Sequence, residues 1–263
     1  MGRVLAISSL VARGNVGLAA TVPALQGLGH EVWAVPTVLL ASRPGLGTLV
    51  KFPVPTPELA GLLAGLERDG GSGLLDAVFT GYFPSALAVA TVAAAIRRLK
   101  QANSELIILV DPILGDADRL YVAAETAAAI RDELLPLASV TTPNLFELAW
   151  LVGCAPAEIE DVPAAARRLQ VPTVVVTSAA SSKDAVCSTL VTTSEAIDCP
   201  LPRREGIPNG AGDVFAGLLL GRWLNNAAGA QAFRRAIADL EPVLAASRHR
   251  PVLDLGALPR RNG

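Results

Sequence analysis

Short apolar runs alternate along the chain with longer alanine-rich stretches. The runs are RVLAISS (3–9), EVWAVPT (31–37), DAVFTGY (76–82), ELIILVD (105–111), SVTTPN (139–144) and TVVVTS (173–178). Several are apolar throughout, the pattern of strands covered on both faces. Residues 15–28, 57–68, 84–101, 122–135 and 161–169 lie between them and are long enough for crossover helices. Strand and helix in regular alternation predict a parallel, doubly wound α/β sheet with helices on both sides.

The pattern changes after residue 183. Residues 184–200, DAVCSTLVTTSEAIDCP, read as two strands turning at Thr193 and Ser194, a small hairpin at the sheet edge. Two helices are expected over 212–225 and 229–247, followed by an irregular tail punctuated by Pro and Gly. Residues 41–57 hold glycines and prolines and read as a loop or flap, not a domain boundary. With 263 residues, 51% of them hydrophobic, the chain fits one α/β domain over residues 1–263.

Charge and cysteine content narrow the function classes. A net charge of -2 with 17% charged residues provides no broad basic surface, so neither nucleic acid nor an anionic membrane is expected as a partner. Cys154, Cys187 and Cys199 are odd in number and lack a CxxC pattern, which argues against a disulfide framework or a zinc site and for a reducing, cytoplasmic setting. No run reaches the roughly 18 apolar residues of a membrane span.

Ligands of open parallel sheets gather beyond the carboxyl ends of the strands. The polar residues just after the predicted strands are Ser9, Tyr82, Asp111, Asn144 with Glu147, and Thr177 with Ser178. Each has a plain reading: Ser9 as a turn residue, Asn144 as a helix cap, Tyr82 as a half-buried aromatic. Asn144 and Glu147 have the spacing of a capping box. Equally, Asp111 and Glu147 are hard oxygen ligands suited to a magnesium ion that also touches phosphate.

GIPNGAGDVFAGLLLGRW (206–223) is more specific. Gly210, Ala211 and Gly212 let successive amides approach an anion at the start of a helix, whose dipole adds positive potential. Asp213 in the same turn is either an ordinary N-terminal charge, worth about 1 kcal/mol, or a base that takes a proton from a hydroxyl attacking the bound phosphate. A kinase needs that combination of oriented acceptor, charge stabilisation and metal. Other phosphate and catalytic motifs are missing: there is no GxxxxGK[ST], GNVGLAA (14–20) does not have GxGxxG spacing, and two histidines without GxSxG give little to a hydrolase. A nicotinamide-dependent oxidoreductase is thereby disfavoured. A nucleotide-binding protein without efficient catalysis stays as the alternative from another class.

GAGD resembles the Gly-x-Gly-Asp signature of the ribokinase superfamily. VLAISS with GNVG, LGHEVWAVPTV, FTGY, VDPILGD, TPNLFEL and VVVTS resemble, in order, segments of the pyridoxal kinases within it. The resemblance implies a three-layer ribokinase-like fold with a central mostly parallel sheet, and ATP-dependent phosphorylation of the 5′-hydroxymethyl group of a vitamin B6 vitamer. By position, Asp213 is implied as catalytic base with the amides of Gly210, Ala211 and Gly212 as anion hole. Asp111 and Glu147 are implied on the magnesium side. Asp116, Tyr121, Thr142, Asn144, Thr177 and Ser178 are implied around ATP, with residues 115–125 as its cover. Ser9, Ser42, Gly45 and Tyr82 are implied on the substrate side, with 41–57 as a substrate flap. A homodimer and a monovalent cation such as K+ are also implied. In LLASRPGLG (39–47), Arg43, Pro44 and Gly45 stand where many pyridoxal kinases carry Asn, His and Thr. A hydroxymethylpyrimidine or another hydroxymethyl-heterocycle is therefore the alternative acceptor.

Overall fold

The structure is a computed structural model that describes residues 1–46, 50–116, 119–225, 227 and 229–260. Chain order begins with β1 (Arg3–Arg13), α1 (Leu18–Gly27), β2 (Glu31–Ser42), β3 (Lys51–Pro53), α2 (Thr56–Leu66), a single turn α3 (Ser72–Leu74), β4 (Ala77–Thr80) and α4 (Ala86–Ala102). It continues with β5 (Ile107–Val110), β6 (Gly115–Asp116), β7 (Arg119–Leu120), α5 (Ala124–Ala129), β8 (Val140–Thr141), α6 (Leu145–Val152) and α7 (Val162–Arg167). The last elements are β9 (Thr173–Ser181), β10 (Ala185–Val191), β11 (Ala196–Pro202), α8 (Ala211–Leu224) and α9 (Ala230–Ser247).

Nine strands form one sheet in the order β11-β10-β9-β8-β5-β4-β1-β2-β3, and β6 pairs with β7 in a separate small hairpin. The strands from β9 to β2 run parallel, with β10, β11 and β3 antiparallel at the two edges. Alternation along each strand feeds two cores. Leu5, Ile7, Ile108, Val110 and Val174 face the layer of α2, α4, α5, α6 and α7. Val4, Ala6, Leu109 and Val175 face α1, α8 and α9. Burial on both sides is why these strands carry no polar face, and each Leu or Ile so buried contributes about 1.5–3 kcal/mol toward a rigid frame for the site.

Some boundaries differ from the sequence expectation. β1 runs to Arg13 and β2 to Ser42, because their far ends pair with each other from Leu10↔Leu39 to Arg13↔Ser42, a tertiary contact local pattern does not encode. The expected flap is thus partly strand: β2 enters it, and β3 pairs with β2 through Leu39↔Phe52. Residues 47–49 of that segment, and 117–118 of the expected ATP-side cover, lie outside the described residues. The fifth strand shrinks to Val140–Thr141, since Pro143 has no N–H to continue a ladder. The helix expected over 122–135 ends at Ala129 and continues as a wide turn to Leu134 and a tight one through Pro136.

Candidate active site

Two acidic side chains, Asp111 and Glu147, come from beyond the carboxyl ends of parallel strands β5 and β8, and a third, Asp213, comes from the first turn of α8; the charge of Asp213 acts on Asp111 and that of Asp111 on Glu147. Asp111 follows β5 directly and is 7% exposed; its Oδ1 accepts a hydrogen bond from the Thr142 hydroxyl at 2.9 Å. Burial first, then the negative charge of Asp213, push Asp111 up to about 8. Glu147, 5% exposed, lies in the first turn of α6. Burial and the charge of Asp111 hold it well above the usual carboxylate range, against the pull of three backbone amides.

Those amides show that the two readings of Glu147 are compatible. The capping box forms: Asn144 Oδ1 accepts the Glu147 amide at 2.8 Å and Glu147 Oε2 accepts the Asn144 amide at 2.9 Å. Glu147 Oε1 reaches across to the Leu114 amide at 2.9 Å and the Gly115 amide at 3.4 Å. Asn144 also donates to the Gly115 carbonyl at 2.9 Å. The N-terminal turn of α6 therefore fixes the loop that leaves Asp111 and enters the β6–β7 hairpin. With both Oε1 lone pairs taken, Glu147 retains acceptor capacity on Oε2, and Asp111 retains its Oδ2.

Gly210 directly precedes α8 and has φ 114°, a backbone that favours glycine. A Cβ there would collide with the Asn15 carbonyl oxygen, and at Gly17 (φ 56°) with the Ser9 carbonyl. Gly210 of GAGD and Gly17 of GNVG are thus used for close backbone approach, to the Asn15 loop and to Ser9 of β1. At Gly212 a Cβ meets no atom within 4 Å beyond its chain neighbours and its own helix backbone, so it points into open space. Gly210 offers no side chain to cap the helix, leaving its first amides for an anion. Asp213 is partly exposed as a residue, yet its Oδ1 is shut off from solvent and has no hydrogen-bond partner. Burial raises it to about 6, opposed by the amide of Gly17 and its own amide. The Thr21 hydroxyl of α1 donates to the Asp213 carbonyl at 3.2 Å, pinning this turn from the opposite side.

Other expected site residues surround this centre. Thr177 pairs with Asn144 in an isolated parallel bridge, and its amide donates to the Pro143 carbonyl at 2.8 Å. Ser178 does not end its strand: β9 continues to Ser181, and Ser178 sits in it with φ 51°, a conformation that a serine rarely adopts. Asp116 and Tyr121 belong to the β6–β7 region and are exposed, with Asp116 and Glu147 among the charges acting on the Tyr121 phenol. Ser9 lies within β1, not after it, 8% exposed against Gly17. Ser42 is the last residue of β2, and Gly45 lies just beyond it with φ 82°. Tyr82 is half-buried, its amide donating to Ser8 Oγ at 3.0 Å and its carbonyl accepting from the Thr37 hydroxyl at 2.7 Å.

Sequence reasoning missed Ser8, Asn15, Gly17 and Thr37. Thr37 is the extra residue where the β1–β2 register shifts after Ser8↔Pro36, and such bulges re-aim strands beside sites. The signal for Gly17 was in GNVG, but only as a weak nucleotide motif.

Among the described residues no group of three His, Cys, Asp or Glu is placed to hold a metal. Magnesium takes one or two protein carboxylates and completes its shell with water and phosphate. Two buried carboxylates that repel each other, both raised, fit that requirement.

Comparison with known proteins shows the family and the fold. A family profile described as phosphomethylpyrimidine kinase matches residues 71–251. The pyridoxine/pyridoxal/pyridoxamine kinase of Bordetella avium is 35% identical over 252 residues, covering 93% of this chain and 85% of that protein. A pyridoxal kinase of Deinococcus radiodurans is 34% identical over 92% of this chain and 85% of its own length. Among solved structures, pyridoxal kinase from Leishmania donovani in complex with ADP and pyridoxamine superposes with a TM-score of 0.87 at 27% identity, covering 98% of this chain and 95% of that one. A chain described as a phosphomethylpyrimidine kinase of Bacteroides thetaiotaomicron shares the fold, with a TM-score of 0.89 at 22% identity. On its sequence relatives and its fold, the chain belongs to the pyridoxal kinase family of the ribokinase-like superfamily.

Proposed function

We propose that the protein is an ATP-dependent kinase of the 5′-hydroxymethyl group of pyridoxal or a related vitamin B6 vitamer. The observation that carries this reading is the convergence of Asp213, raised to about 6 beside the uncapped start of α8, with the buried pair Asp111 and Glu147. The names of the relatives that match over most of the chain support the acceptor class.

Asp213 takes the proton of the hydroxymethyl group as its oxygen bonds to the γ-phosphorus of ATP and the bond to the leaving ADP oxygen breaks. A carboxylate raised to about 6 is ionised at neutral pH yet basic enough to bind that proton transiently. The amides of Gly210, Ala211 and Gly212 face the charge that develops on the phosphoryl oxygens. Asp111, and Glu147 through its remaining acceptor, would hold magnesium, which neutralises phosphate charge when bound. Asp116, Tyr121, Thr142, Asn144, Thr177 and Ser178 line the nucleotide side, and Ser9, Ser42, Gly45 and Tyr82 the acceptor side.

A cytoplasmic, homodimeric enzyme completes the reading. No helix among the described residues is long and apolar enough to cross a membrane, and the cysteines are free thiols. Exposed Leu10, Leu39 and Phe52 stand in register across β1, β2 and β3, an apolar row that supports contact between subunits. Activation by a monovalent cation such as K+ follows from the family resemblance. A second acceptor class, hydroxymethylpyrimidines, is favoured by the family profile over 71–251 together with Arg43-Pro44-Gly45 in the flap. Initial rates with Mg-ATP and pyridoxal, pyridoxine, pyridoxamine or hydroxymethylpyrimidine separate the two. A B6 vitamer with the highest kcat/KM is expected, and a pyrimidine ranking first would transfer the assignment.

A further inference from the structure

The C-terminal strap that follows α9 is bound to the site by two side chains with no role in the chemistry above. The Arg43 guanidinium donates to the Pro251 carbonyl through Nε at 3.2 Å and Nη2 at 2.7 Å, and through Nη1 to the Pro44 carbonyl at 3.0 Å. Two residues along the strap, Asn15 Nδ2 donates to the Leu253 carbonyl at 2.7 Å. The strap is itself held: the Asp254 amide donates to Ser247 Oγ at 2.8 Å and the His249 amide to the Gly206 carbonyl at 2.9 Å.

Both pegs converge on the loop of residues 14–17. The aliphatic stem of Arg43 lies across Gly14, where an added Cβ would meet its Cβ and Cγ at 3.1 Å. The same loop places the Asn15 carbonyl against Gly210 and brings the Gly17 amide to the Asp213 carboxylate. Leu253, 1% exposed, closes the other side of Gly210, its Cδ1 3.0 Å from where a Cβ would stand. Flap end, strap, loop and anion-binding turn therefore form one connected unit.

We propose that Arg43 and Asn15 are positioning residues: by clamping the strap at residues 251–253 they hold the loop that orients Asp213 and Gly210 for phosphoryl transfer. The inference rests on the kinase reading for its kinetic consequence but not for its geometry. Arg43 spends its charge on the strap, which gives the flap arginine a use other than contact with an acceptor.

Arg43→Ala and Asn15→Ala are each expected to lower kcat by about tenfold while leaving KM for ATP within about twofold, because misplacing a catalytic group costs turnover more than binding. Arg43→Lys, with a cation but no fork, is expected to recover part of the loss. Arg98→Ala breaks an exposed pair with Glu67 (2.7 Å) on the opposite layer and controls for a general loss of stability, with kcat unchanged. Parental kcat in folded Arg43→Ala and Asn15→Ala overturns the proposal. Should Arg43→Ala not fold, Arg43→Lys decides it by the same criterion. If the parent phosphorylates no acceptor, the kinase reading fails, and hydrogen exchange tests the clamp alone. The amides of residues 249, 250 and 252–255 are then expected to exchange faster in the Arg43 variant, and parental exchange there refutes the clamp.

Discussion

Replacing Gly212 by alanine separates stability from activity more cleanly than any other change at this site. The position lies in the first turn of α8, and a methyl group there meets no atom within 4 Å beyond its chain neighbours and its own helix backbone. Exchanging glycine for alanine in a helix stabilises by up to about 1 kcal/mol, which in a protein of this size raises Tm by about 1–4 °C. On the proposed kinase reading, the same methyl projects where the backbone of 210–212 would meet the transferring phosphoryl group. The N–H of residue 212 is kept, but a methyl that holds the phosphoryl oxygens away from it has the effect of one lost donor, which lowers turnover by about 10²–10³-fold. Melting by scanning fluorimetry, paired with initial rates of ATP-dependent acceptor phosphorylation, reads both quantities. Unchanged or higher Tm with a large loss of kcat is expected. Parental kcat/KM in Gly212→Ala refutes the reading of this turn as the anion site, and a fall in Tm would trace the loss to folding.

Gly210→Ala behaves in the opposite way: its φ of 114° and the collision with Asn15 cost stability first, by about 1–3 kcal/mol for the backbone conformation alone, so a lowered Tm accompanies lost activity. Asp213 is raised by burial from its ordinary 3.8 to about 6, so the native state binds its proton more tightly than the unfolded chain. Its contribution to stability is full below about 3.8 and is lost as pH rises through about 6; denaturant titrations of Asp213→Asn between those values are expected to lack that decline. In the parent, kcat/KM is expected to fall on the acid side of about 6 as the base is protonated; a flat profile there contradicts the base assignment. Glu147→Gln sets an amide NH₂ against backbone N–H groups, losing about 1–3 kcal/mol of stability and raising KM for Mg-ATP, as fluorimetry and ATP titrations will show.

Much of this was written locally. Apolar runs covered on both faces gave the parallel strands, and Thr193-Ser194 between two alternating stretches gave the edge hairpin. GAGD and the Asn144–Glu147 spacing located the start of α8 and the capping box. What escaped depends on contacts between distant segments. The lengths of β1 and β2 are set by their mutual pairing, and the bulge at Thr37 exists only in that pairing. Glu147 read as either cap or ligand because its reach to the amides of Leu114 and Gly115 spans more than 30 positions. The tail, irregular in pattern, is ordered by side chains more than 200 residues away, Arg43 and Asn15.

Asp213 is proposed as the base for transfer of phosphate from ATP to a hydroxymethyl group. Purified parent and Asp213→Asn, each incubated with Mg-ATP and pyridoxal, test it directly by mass spectrometry of the product and single-turnover rates, with nucleotide binding measured in parallel. Pyridoxal 5′-phosphate is expected from the parent and a loss of several orders of magnitude in rate from the variant, with ATP binding retained. Equal rates in the two proteins, or no phosphorylated vitamer from the parent, would contradict it.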